Sequence, residues 1–205
     1  MMMQEQVVQR KGYNISHIGS RLVRGGRTIT AIRKDTHLEF TEVEMAGEGN
    51  LQVFNVVYPT GRKMRLVNVC IELSQVEGVR SQGRPAQTAR LEEIMRQKKI
   101  LIGGGWNAHS DRWDPQFQPR RDAVFLENLM DEYDLVDVTD GEATHVSKRG
   151  GEESHSHIHC FITTASMSDG LEIATDLETT SDQAILWAHL RWNKGEGAKG
   201  SRKIT

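Results

Sequence analysis

Between residues 103 and 113 the chain reads GGGWNAHSDRW. Three glycines close an apolar run, Lys99-Ile100-Leu101-Ile102. An amide (Asn107), an imidazole (His109), a hydroxyl (Ser110) and a carboxylate (Asp111) follow within a few positions. A buried strand that ends in a small-residue turn and then presents polar groups is a common way to place acid–base and orienting chemistry. The plainer alternative is that Asn107 and His109 only stabilise the turn, and Trp106 and Trp113 read as core. A second set lies further on, where His155, His157 and His159 alternate. On one continuous strand their side chains would share a face, with Cys160 pointing the other way and His145 on the preceding strand or turn. Three imidazoles at that spacing fit Zn²⁺ better than Mg²⁺; the alternative is scattered polar residues at a strand entrance. Asp182, after Ser181 and before an apolar strand, suits a turn or cap as well as a ligand role.

These residues need elements to hold them. Segments 27–33 (RTITAIR) and 38–45 (LEFTEVEM) alternate like strands with one wet face. LQVFNVVYP (51–59) is mostly apolar, and residues 60–63 turn the chain into MRLVNVCIEL (64–73); the four together predict an antiparallel meander. Residues 75–87 read as a loop. Ala86–Gln97 is predicted as a helix that delivers the chain to the buried strand KILIGG. A second helix is predicted over Ala123–Tyr133, with Phe125, Leu126, Leu129 and Met130 on one face and Asp122 as its N-cap. Short strands are predicted at 135–138, 144–147, 157–164, 171–178 and 184–192, followed by a flexible tail at 193–205. Strands in stacks with helices between them predict an α/β (α+β) sandwich of two mainly antiparallel sheets flanked by helices.

Composition bounds the reading. The chain has 205 residues, 37% hydrophobic and 26% charged, with a formal net charge of −2 and a mean hydropathy of −0.53. Its size suits one domain with a full core, and no internal repeat or linker divides it. No apolar run approaches the ~20 residues that span a bilayer. The opening MMMQEQVVQRKG is too polar for a signal peptide, so an intracellular setting, nuclear or cytoplasmic, is expected. Cys70 and Cys160, in apolar contexts, read as reduced thiols. The net charge leaves room for nucleic-acid binding, which needs only a local basic stripe; Arg21/Arg24/Arg27, Arg96/Lys98/Lys99 and Arg120/Arg121 are candidates.

Five strand-end signals occur in order: MQEQ (3–6), LVNVCI (66–71), LIGGGWNAHSDRW (101–113), SHIHCF (156–161) and TSDQAILW (180–187). The series resembles the endonuclease/exonuclease/phosphatase superfamily, and within it the endonuclease domain of LINE-type (non-LTR) retrotransposon reverse-transcriptase proteins. There the matching segments run as "LQE", "NVYIPP", "GDFNAHS", "S-x-IDL" and "SDH-x-P". The resemblance runs from about residue 3 to residue 192 and implies a DNase I-like fold, with the strand before "LQE" missing from this chain. It also implies Mg²⁺-dependent hydrolysis of DNA phosphodiesters, since hard Mg²⁺ takes oxygen ligands beside a phosphate. Glu5 and Asp182 match the metal-ligand positions, and Asn107 the orienting amide; His109 falls in the same motif.

Four other motif positions depart from the pattern. Gly105 stands for the Asp of "GDFN", His159 for the Asp of "S-x-ID", Gln183 for the His of "SDH" and Cys70 for the Tyr of "NVY". Glycine offers no base, and glutamine carries no proton at neutral pH. Acid–base groups contribute roughly 10²–10⁴-fold each, so the resemblance implies a domain of nuclease descent that is catalytically dead. The alternatives are a non-catalytic module binding nucleic acid or protein, and a repurposed histidine metal site at His155, His157 and His159. If the family geometry holds, His159 is expected beside Gln183. Neither a membrane nor a small-molecule cofactor is expected as a partner.

Overall fold

The structure is a computed structural model, which describes residues 8–10, 12–18, 28–43, 51–70, 91–118, 121–176 and 181–191. Glu5, the loop at 75–87, the start of the first helix and the tail at 193–205 lie outside the described residues.

At the centre is a six-stranded sheet in the order β4-β5-β6-β7-β11-β8. Its members are β4 (Glu39–Glu42), β5 (Leu51–Val57), β6 (Lys63–Cys70), β7 (Ile100–Gly105), β8 (Leu135–Asp137) and β11 (His159–Thr164). β6 and β7 run parallel, joined by a crossover, and every other pair is antiparallel. A second layer contains β1 (Val8–Arg10), β2 (Tyr13–Ile18) and β3 (Thr28–Arg33) in one three-stranded sheet. The hairpin of β12 (Leu171–Asp176) and β13 (Ile185–Leu190) forms another sheet, and β9 (His145–Arg149) with β10 (Glu152–Ser156) a third. Helical residues occur at 91–95 (α1), Arg121–Glu132 (α2) and Ala165–Ser168 (α3).

Strand alternation divides the core in two. Val53, Val67, Val69, Ile100 and Ile102 pack with Leu91, Ile94 and Met95 of α1 and Leu126, Leu129 and Met130 of α2. On the opposite face Phe54, Val56, Met64, Leu66 and Leu101 meet Ile32 of β3, Phe40, Leu171 and Leu190. The central strands are covered on both faces and therefore read as apolar runs. The result is the expected α/β sandwich.

Several expectations are corrected. β3 belongs to the second layer, so only β4, β5 and β6 form an antiparallel meander. Asp122 is the second residue of α2 and not its cap. The strand drawn over 157–164 begins at His159, and β10 precedes it as a separate element. That break removes the basis for three histidines on one face. His155 is exposed on β10 and paired with Glu153, while His157 is buried in the connection with its Nε2 3.8 Å from Asp137. Among the described residues no three His, Cys, Asp or Glu side chains group as metal ligands.

Candidate active site

Parallel β6 and β7 end together, and β11 starts beside them, so the register places Cys70 against Gly105 and Gly105 against His159. Directly paired residues share a face of a sheet. The three positions therefore stand abreast across three neighbouring strands, on the face turned toward the second layer. Two residues back along β6, Asn68 donates to Thr30 of β3 (3.1 Å), and Thr30 donates to the fully buried Gln52 (2.8 Å). This polar cluster, which the sequence did not single out, closes the floor of the cleft next to the row.

The glycines have separate reasons. Gly104 adopts φ 141°, and a Cβ there would run into the Val69 carbonyl. Gly105 has no such backbone demand. A Cβ there would stand 3.1 Å from His159 Cδ2, 3.4 Å from its Nε2 and 3.7 Å from Asn107 Nδ2. The imidazole thus lies over the bare backbone where a carboxylate would project. Trp106 and Asn107 both donate backbone N–H to the Ile158 carbonyl (2.9 and 3.2 Å). Asn107 takes φ 51°, a left-handed conformation that asparagine tolerates better than most residues.

Thr144 organises the other side. Its buried hydroxyl accepts from the N–H groups of Ile158 (3.1 Å) and His159 (2.9 Å), fixing the start of β11. Its carbonyl accepts from Ala184, and Val146 donates to the Asp182 carbonyl, so β9 stitches residues 182–184 to the site. The partner this gives Gln183 is His145, through an isolated bridge. His145 Nε2 stands 4.0 Å from Asp182, whose side chain is 66% exposed. Burial first, then the charge of His145, holds His159 below its ordinary pKa. Burial pushes the Cys160 thiol well up, and neither Cys70 nor Cys160 is in a disulfide.

His109 is used differently from Asn107. Its Nδ1 lies 2.6 Å from the buried carboxylate of Asp114, and its ring stacks on Phe117 with centroids 4.5 Å apart. Ser110 donates to Glu127 of α2, and Trp113 Nε1 donates to the Ala108 carbonyl. These contacts tie down the loop after β7. Trp106 and Trp113 are both buried, as expected of core residues.

The groups gathered near the row are a thiol, two imidazoles, amides and one exposed carboxylate, Asp182. Hard Mg²⁺ takes oxygen ligands, so this donor set among the described residues does not fit it.

The fold is that of the endonuclease/exonuclease/phosphatase proteins, a DNase I-like α/β sandwich. Superposition with the endonuclease domain of TRAS1, a telomere-specific non-LTR retrotransposon, gives a TM-score of 0.72 at 19% identity over 93% of this chain and 85% of that one. An endonuclease/exonuclease/phosphatase family protein from Leptotrichia buccalis superposes with a TM-score of 0.58 at 10% identity, covering 88% of this chain and 72% of the other. For the catalytic domain of Xenopus laevis APE2 the values are 0.50, 14%, 91% and 79%. At these identities the likeness is one of fold. No protein-family model and no curated protein sequence matches the chain. No helix among the described residues is long and apolar enough to cross a membrane.

Proposed function

We propose that this chain is an endonuclease-like domain of retrotransposon origin that has lost metal-dependent hydrolysis of DNA and binds nucleic acid without cutting it. The observation that carries the reading is the row Cys70–Gly105–His159. Three positions where the resembling endonucleases place a tyrosine and two aspartates lie abreast at one end of the sheet, and none holds a carboxylate. Asn107 remains beside them, and Asp182 and Gln183 approach through β9. The scaffold of a phosphodiester site is kept while its acid–base groups are replaced. Each such group is worth roughly 10²–10⁴-fold, and groups acting as a unit are not additive, so losing several abolishes measurable turnover.

The test is plasmid nicking with Mg²⁺ and with Mn²⁺. The unmodified chain is compared with a triple variant carrying Gly105→Asp, His159→Asp and Gln183→His. Nicking by the triple variant alone is the expected outcome, and robust nicking by the unmodified chain overturns the loss of activity. Binding of a DNA duplex by the unmodified chain, weakening steeply as salt rises, is expected in the same preparation.

A further inference from the structure

Strand β13 has the features of an unguarded sheet edge. Among the described residues it pairs with β12 alone. Its sequence, ILWAHL, carries no Lys, Arg, Asp, Glu or Pro. Proteins ordinarily protect such an edge with charge, proline, a bulge or a covering element. The described residues contain three exposed large hydrophobic side chains, and two of them are on this strand: Ile185 at 47% and Trp187 at 61% exposure. The alternation Ile185, Trp187, His189 puts these on the outer face, beside Glu172, Ala174 and Asp176 of β12.

We infer that β13 is a self-complementary docking edge and that its occupant is the β13 of a second copy of this chain, added antiparallel about a two-fold axis at Trp187. The choice of occupant follows from chemistry and parity. An open edge offers backbone N–H and C=O groups that only another strand satisfies in register. Antiparallel pairing of identical strands keeps outer faces together only when the axis passes through a residue. With the axis at Trp187, each Trp187 faces its copy, Ile185 faces His189, and Leu186 faces Ala188. No like charges meet, and an aromatic pair forms at the centre, the cross-strand arrangement that most favours a sheet. Any occupant with charged residues at these positions would bury them against Trp187 and Ile185. A six-residue edge is small beside a standard interface, so the association is weak and concentration-dependent.

Sedimentation velocity of the full chain across the micromolar range tests this. The unmodified chain is expected to shift from monomer to dimer as concentration rises. Trp187→Lys and Trp187→Glu, each at an exposed position, are expected to stay monomeric with an unchanged far-ultraviolet spectrum. An equimolar mixture of those two variants is expected to regain the dimer, because opposite charges then meet at the axis. A monomer at every concentration overturns the inference, as does a dimer that Trp187→Lys leaves intact. The edge is independent of the nuclease reading, so either can fail alone.

Discussion

The loop from Trp106 to Phe117 and the row of Cys70, Gly105 and His159 meet at the end of β7, yet they are built on opposite terms. The loop is tied at almost every turn. His109 is held by Asp114 and Phe117, Ser110 by Glu127, Trp113 by the Ala108 carbonyl, and Arg112 by a bidentate pair with Asp131. In the row, an imidazole held below its ordinary pKa lies over a bare glycine. The difference teaches what folding itself enforces. A lost tie in the loop opens a void or strands a buried polar group, and stability falls at once. A carboxylate at position 105 contributes nothing to the core and costs desolvation, so its absence is invisible to folding. A chain can keep the frame of a site long after the chemistry has gone.

The largest effect that sharpens this contrast belongs to the loop. Trp106 is 1% exposed and belongs to the helix-side core, so Trp106→Ala is expected to cost about 3–5 kcal/mol by leaving a cavity. Gln183→His, at an exposed motif position, is expected to change stability by less than about 0.5 kcal/mol. Urea unfolding of the two variants measures both. Comparable losses would mean that the site and the frame are energetically one unit, and the contrast would break.

A smaller effect tests whether Gly105 and His159 are packed against each other. A methyl group at 105 would press the imidazole at 3.1 Å, closer than carbon atoms normally sit. Gly105→Ala is therefore expected to be neutral or destabilising beside His159. It becomes stabilising beside His159→Ala, where alanine's lower chain entropy in the unfolded state is no longer offset. A double-mutant cycle should give a coupling of about 1 kcal/mol. Strict additivity would show that the ring moves aside freely.

The sequence disclosed the frame better than the site. β5, β6 and β7 were legible because both their faces are buried, which forces apolar runs. β10 was missed because its residues, EESHS, are exposed except for Ser156, so no burial pattern marks them. The paired glycines at 150 and 151, both at positive φ, were the available turn signal. The histidine reading failed on the same omission, since the parity of His155, His157 and His159 holds only for an unbroken strand. The alignment of Cys70, Gly105 and His159 depends on register between distant segments, which no local pattern contains; only the family resemblance pointed to it. Thr144 lay inside a segment read as a strand, with nothing to signal that its hydroxyl would fix the start of β11.

The smallest expected effect is a pH dependence that belongs to the row. In the folded chain the pKa of His159 lies below its ordinary value, foremost through burial and next through His145, with His157 acting in the same direction. Asp182 and the backbone contact with Thr144 oppose them. The unfolded chain keeps the ordinary value of about 6.5. As pH falls below that point, the unfolded state takes up a proton that the folded state refuses, so stability drops until the lowered folded pKa is reached. Above about 6.5 the group is neutral in both states and contributes no slope. Replacing His159 with Asn should flatten the urea midpoint between pH 6.5 and the acid limb while leaving the neutral-pH value nearly in place. An unchanged acid slope in His159→Asn would move the titration to another group, such as His157 beside Asp137 in the connection before β11. The row would then be as indifferent to charge as it is to the loss of its carboxylates.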